Sequence, residues 1–368
     1  MLKWYQLADV SSIESPTLLL YPERIRKNIQ LLIDMVEGQC ERLRPHVKTN
    51  KMVEVCKMMI EEGITQFKCS TIAEAEMLGL SGAGDVLLAY QPVATNISRW
   101  VKLIESYPNT HFSCLVDNTR SVEELSVYAE DKGIKISVYL DIDVGMGRTG
   151  TPFSEVPKLK KILSEKEMLI LEGVHGYDGH ISNPVLAIRQ EESDLSYKIL
   201  KKAYNYLQGQ TKDELKMVLG GSPSFSFHRH RPDVVCSPGT FVFWDWGYRE
   251  RIAEQPFEYA AVLMTRVISI ISDTRICVDL GYKAVASDPP LPRVFFLDDK
   301  DLKVVLQSEE HLLLSVPDSS KYPIGRELYA VPTHICPTVN LYDKVNVIGE
   351  HCVIDSWEVI ARKRKINI

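Results

Sequence analysis

The stretch RPHVKTNK, residues 44 to 51, places Arg44, His46, Lys48 and Lys51 within eight positions of a chain whose net charge is -6. A lysine amine attacks a carbonyl carbon once it is neutral, and desolvation beside other cations moves it toward that state. Lys48 is therefore a candidate for a Schiff-base lysine, with Arg44 and His46 expected to tune it. A solvated cluster at a strand end is an equally simple reading of these eight residues, so other segments must decide. GGSPS at 220–224 and SPGT at 237–240 supply Gly220, Gly221, Ser222, Ser224, Gly239 and Thr240. Glycines and hydroxyls in such turns let backbone N–H groups converge on a phosphate. With an activated lysine, they imply a phosphate-anchored aldehyde cofactor. DIDVGMGRTG, residues 141 to 150, can bring Arg148 to a ring nitrogen or phenolic oxygen of that cofactor. VHGYDGH, residues 174 to 180, offers Tyr177 as a ring contact and His180 as a proton shuttle.

A second constellation lies far downstream, in PTHICPTVN at 332–340. If that segment is extended, His334 and Cys336 point to one side, and an imidazole and a thiolate can share one ion, zinc by preference. Two protein ligands leave positions for water or substrate, which suits a Lewis acid better than a closed structural site. Other polar groups carry less. His228 and His230, in HRHR at 228–231, could meet a substrate carboxylate but more simply form a basic loop that is solvated or a dimer contact; Trp244, Asp245 and Trp246 are expected to pack and cap the barrel's end; Tyr282, Lys283 and Asp288 could reach a partner's active site.

These residues need a scaffold, and the rhythm of the chain supplies one. Between about residues 17 and 220, β-rich runs alternate with helical segments: TLLL, RLRPHV, QFKCS, DVLLAY, HFSCLVD, KISVYLDID, LEGVHGYD and KMVLGG. Helix punctuation agrees, with Pro22 near one start, Gly38 just past that helix, and Thr71 followed three residues later by Glu74. Eight β-then-α units predict an α/β fold, a TIM-type (β/α)8 barrel whose chemistry sits at the C-terminal ends of the strands. After about residue 255 the runs are β-rich with little helix, predicting a smaller, mainly β domain. The expected division is a barrel over 1–255 and a β domain over 256–368, with residues 1–14 able to join the latter.

Composition narrows the class. A chain of 368 residues, 45% hydrophobic and 25% charged, has the make-up of an ordinary soluble protein. No apolar run opens it and no stretch of about eighteen apolar residues interrupts it, so neither a signal peptide nor a membrane span is expected, and the expected location is cytoplasmic. Eight cysteines without a C-x-x-C pair suggest reduced thiols. Mild acidity without a basic stripe argues against nucleic acid as a partner.

Taken in order, RPHVKTNK, DVGMGRTG, HGYDGH, GGSPS and SPGT resemble the fold-type III pyridoxal-phosphate enzymes, and within them the D-threonine aldolase and eukaryotic-type D-serine dehydratase group. The resemblance implies an alanine racemase-like barrel, pyridoxal phosphate on Lys48 and its phosphate at the Gly/Ser turn. It further implies a divalent metal, zinc ahead of manganese, on His334 and Cys336, and a homodimer acting on a small D-amino acid. Asn50 stands where the similar motif has histidine. D-threonine aldolase is the first expected activity, D-serine dehydratase the alternative and amino-acid racemase a further one, since Cys336 leans toward the dehydratases and PTVNL toward the aldolases.

Overall fold

A computed structural model describes residues 2–297 and 299–368. The strands in chain order are β1 (Thr17–Leu20), β2 (Gln66–Cys69), β3 (Asp85–Leu88), β4 (His111–Val116), β5 (Ile136–Ile142), β6 (Leu169–Gly176), β7 (Lys216–Leu219) and β8 (Val235–Cys236). They continue with β9 (Ala261–Ser272), β10 (Arg275–Val278), β11 (Val294–Phe296), β12 (Lys303–Gln307), β13 (Leu312–Ser315), β14 (Glu327–Pro332), β15 (Lys344–Gly349) and β16 (Cys352–Glu358). Two compact units interleave along the chain. One gathers Leu32–Lys48, Val53–Gly239 and Lys363–Ile368; the other gathers Met1–Leu31, Thr49–Met52 and Thr240–Arg362.

The first unit is built on β2 through β8, seven parallel strands paired in sequence order and alternating with helices. Short β-rich runs separated by amphipathic helices leave few other solutions, because parallel neighbours need a crossover on one face. The sheet closes on itself through residues 43–47. Leu43 bridges Cys236 and His46 bridges Lys68, both in parallel, while Arg44 N–H donates to the Cys236 carbonyl at 2.8 Å and Val47 N–H to the Lys68 carbonyl at 2.9 Å. RLRPHV thus acts as the barrel's first strand. The eighth place belongs to Val235–Cys236, too short to stand out in the sequence, and KMVLGG supplies the seventh.

TLLL is not a barrel strand. As β1 it lies in the second unit, antiparallel to β9 (Leu18 opposite Leu263) and parallel to β15 (Leu20 opposite Val347). That unit's nine-stranded sheet runs β12-β13-β10-β9-β1-β15-β16, with β14 pairing both β9 and β11. Tyr5, Leu7, Leu19, Val262, Met264, Tyr329 and Ile348 form its buried core. WEVIAR divides, its start completing β16 and Ile360–Arg362 forming a 3-10 turn.

Arg44 decides how the barrel interior is wired. It is fully buried and grips both oxygens of Asp85 at 2.7 Å, with Gln66 Oε1 at 2.8 Å. Asp85 also receives Lys216 Nζ at 3.3 Å. Gln66, Asp85 and Lys216 are the first residues of β2, β3 and β7, so the cluster marks the N-terminal end of the barrel. Arg44 therefore does not flank Lys48, which follows the same segment at its other end. Among the described residues, no helix is long and apolar enough to cross a membrane.

Candidate active site

Tyr177, in the turn after β6, is the centre of the barrel unit's polar group. Lys48 Nζ lies 5.4 Å from its ring centroid, Lys68 Nζ 5.6 Å and the Arg148 guanidinium 5.1 Å. Three cations around one aromatic ring favour an anionic, flat ligand, since each is drawn to the ring face and all repel one another. Arg148 and Tyr177 also border a small cavity with Asp141, Ile142, Met146 and Thr149. His46 is buried, and its Nδ1 accepts the Lys48 N–H at 3.3 Å. His180 is exposed, with its ring against Gly145.

The two predicted phosphate turns meet. Gly239 N–H donates to Ser222 Oγ at 3.2 Å, and the Gly220 N–H to the Gly176 carbonyl at 3.1 Å. Gly220 has φ of +88°, and a Cβ there would stand 2.6 Å from His228 Cδ2 and 2.8 Å from Ser224 Oγ, so glycine is required twice over. A Cβ on Gly221 would press to 3.1 Å from the Tyr177 ring. Ser224 Oγ is already engaged, donating to Asp178 Oδ1 at 2.8 Å and accepting from Gly221 N–H at 3.3 Å. It shapes the turn from behind. Thr240 belongs to the other unit, where it opens a 3-10 turn with Oγ1 3.7 Å from Cys336 Sγ.

Sequence reasoning gave no role to Lys68, Asp141, His175 or Asp178, and took Ser237 only as part of the SPGT turn. Lys68 is 1% exposed, with Nζ 3.5 Å from His175 Nε2 and 3.4 Å from the Gly220 carbonyl. Its burial, reinforced by the nearby Lys48 charge, pushes its pKa down to about 7 against the pull of Asp178 and Asp141. His175 Nδ1 donates to Asp141 Oδ1 at 2.7 Å, and burial outweighs that carboxylate to lower the ring's pKa. The imidazole is then neutral, its Nε2 free to accept from Lys68. His228, one member of the basic loop, is wholly buried: Nε2–H donates to Asp178 Oδ2 at 2.7 Å and Nδ1 accepts from Arg231 at 2.5 Å. Burial alone would raise the Asp178 pKa, but His228 and Ser224 hold it below the usual carboxylate range. Ser237 carries a buried hydroxyl without a partner beside the second turn.

The other unit holds the His334–Cys336 pair, on different backbone from that expected. His334 caps a short helix, Ile335–Val339, and Cys336 sits in its first turn. Pro332 ends β14, and Pro337 is tolerated because first-turn N–H groups have no helical acceptor. The two side chains still interact. Burial opposes a proton on His334, but the Cys336 sulfur and the Asp288 carboxylate outweigh it and hold the pKa up at about 9. Asp288 accepts from His334 Nδ1 at 2.6 Å, and Cys336 Sγ lies 3.1 Å from Thr49 Oγ1. Asp245 is more than an end cap: buried, it accepts Tyr248 N–H at 2.8 Å and Ile335 N–H at 3.1 Å, fixing the backbone between the pair. Burial raises its pKa to about 6. Among the described residues, no group of three or more His, Cys, Asp or Glu could hold a metal.

Residues 21–245 match the family described as "Alanine racemase, N-terminal domain", and residues 260–348 match the one described as "Putative serine dehydratase domain". The chain belongs to the fold-type III pyridoxal-phosphate family. The enzyme is 27% identical to a 3-hydroxy-D-aspartate aldolase of Paracoccus denitrificans (strain Pd 1222), a match covering 96% of this chain and 93% of that one. It is 24% identical to a D-serine dehydratase of Dictyostelium discoideum, over 95% and 97% of the two chains. Its fold superposes on the crystal structure of D-threonine aldolase from Filomicrobium marinum with a TM-score of 0.87, 24% identity and 95% of each chain covered. The enzyme is thus a lyase of the pyridoxal-phosphate type.

Proposed function

We propose that the enzyme cleaves a D-configured β-hydroxy amino acid between Cα and Cβ, releasing glycine and an aldehyde. In this reading Lys48 holds pyridoxal phosphate, Tyr177 packs against its ring, and Arg148 meets its polar edge. Gly220, Gly221, Ser222 and Gly239 hold the phosphate, with Ser237 as an additional donor. Three observations support the fit: the Gly220 turn has no room for a side chain, Ser237 has an unsatisfied buried hydroxyl, and three cations ring Tyr177. When bound, the cofactor supplies an electron sink for the charge left at Cα. His334 and Cys336 would hold a divalent metal, with Asp288 orienting the imidazole as carboxylates behind metal-bound histidines do. Such a metal supplies a Lewis acid for the β-oxygen. His180 takes the β-hydroxyl proton as general base.

The observation that carries β-oxygen chemistry is the imidazole–thiol pair backed by Asp288, for which a racemase has no use. A 27%-identical relative named 3-hydroxy-D-aspartate aldolase supports putting cleavage ahead of elimination in this reading. Cys336 favours the second reading, loss of the hydroxyl to give a keto acid and ammonia. Incubating the holoenzyme with D-threonine, D-3-hydroxyaspartate and D-serine and scoring glycine against keto acid separates them. Glycine from the first two is expected; pyruvate from D-serine without glycine from either of the others would establish elimination instead.

The metal assignment has its own test. Cys336→Ala should co-purify with less than stoichiometric zinc and lose turnover on the order of 10²-fold, the scale on which perturbed metal sites fail. Full turnover after exhaustive chelation would remove the metal from the mechanism.

A further inference from the structure

Lys68 is a charged residue in a place where a methionine would fill the same space without desolvation. It projects into the barrel from β2, sharing the inward face with Gln66, while Phe67 and Cys69, also buried, take the alternate face. Several elements present polar groups to it. Arg44 and Lys48 come from the closing segment, Asp141 from β5, His175 from β6, Tyr177 and Asp178 from the following turn, and the Gly220 carbonyl from the end of β7. The hydrogen bonds run in one direction, from Lys68 to His175 and from His175 to Asp141. Asp141 is itself held by Gln91 Nε2 at 3.2 Å.

We propose that Lys68 is a positioning residue whose charge, seated by the Asp141–His175 pair, sets the protonation state of the Lys48 nitrogen across the Tyr177 ring. This rests on the assignment of Lys48 as the cofactor lysine. Both nitrogens lie over the same ring, at 5.4 and 5.6 Å from its centroid, so they are at most about 11 Å apart. At that separation and an effective dielectric of about 20, one unit charge moves a neighbouring pKa by about one unit. The sign is fixed: a cation at position 68 opposes a second cation at position 48. Because the Lys68 pKa is itself drawn down to about 7, its influence changes near neutral pH. It also reaches the phosphate turn through the Gly220 carbonyl, coupling cofactor seating to the same charge.

The test is a pH titration of the visible absorption of the cofactor on the purified holoenzyme. Lys68→Met should raise the midpoint by about one pH unit, whereas Lys68→Arg, which keeps the charge, should hold it at or below that of the parent. Should Lys68→Met fail to fold or load, Lys68→Gln is compared with Lys68→Arg, the former expected about one unit higher. Equal midpoints in the neutral and charged variants would overturn the proposal, since a purely structural lysine predicts no such split. Borohydride reduction followed by peptide mass analysis keeps the two assignments apart. A label on Lys48 with unmoved midpoints rejects the role of Lys68 alone, while a label elsewhere rejects the Lys48 assignment and with it the inference.

Discussion

Lys48→Ala should abolish turnover, with a loss of at least about 10⁴-fold, and should yield protein from which borohydride fixes no cofactor. A lysine that anchors a carbonyl cofactor contributes both the covalent nucleophile and a proton-transfer group, and removing a residue with two such tasks costs at least about 5 kcal/mol of transition-state stabilisation. Lys48→Arg should fare no better, because a guanidinium keeps its charge and cannot become the free amine the bond requires. The geometry makes the comparison with the second lysine informative. Lys68 stands as close to the Tyr177 ring as Lys48 does, yet it is 1% exposed and committed to His175 and Gly220. Lys68→Met should therefore retain the fixed cofactor. A Lys48→Ala protein that still holds the borohydride label would move the anchor to another residue and undo the assignment.

The ambiguity between two barrel lysines was not visible in the sequence, and the reason is physical. QFKCS alternates polar and apolar residues, which in an isolated strand reads as one wet face; in a closed barrel the same alternation turns Gln66 and Lys68 inward. RPHVK follows the same rule, with Arg44 and His46 inside. The parallel strands β2 to β7 were legible because short β-rich runs recur between helical segments along this part of the chain. TLLL satisfies that criterion equally well, and nothing local distinguishes a barrel strand from a central strand of the second sheet. Its partners, Leu263 and Val347, lie more than two hundred residues away. The Gly/Ser turns and the His-x-Cys spacing pointed to residues that the fold brings together, Gly239 with Ser222 and His334 with Cys336. Their backbone was less legible: a short helix that carries Pro337 in its first turn follows Pro332 where alternation alone suggested extension.

Asp85→Ala should lower stability by about 3–5 kcal/mol, the usual result of stranding one member of a buried ion pair. Arg44 is fully buried, Asp85 accepts two of its N–H groups at 2.7 Å, and Asp85 is held below the usual carboxylate range: burial would raise it, but Arg44 overcomes that effect. Removing the carboxylate leaves a guanidinium inside the barrel with Gln66 Oε1, the Tyr139 ring and the Glu172 charge in place of its bidentate partner. The loss should appear as an earlier transition in chemical denaturation. A double replacement, Arg44→Met with Asp85→Leu, should recover much of it, because the apolar pair needs no compensation for desolvation. The pH midpoint of the bound cofactor should stay where it is in Asp85→Ala, since the pair ties the N-terminal ends of β2, β3 and β7 while Lys48 follows the opposite end of its segment. A shifted midpoint with unchanged stability would return Arg44 to the task of tuning Lys48, a task that its grip on Asp85 otherwise denies it.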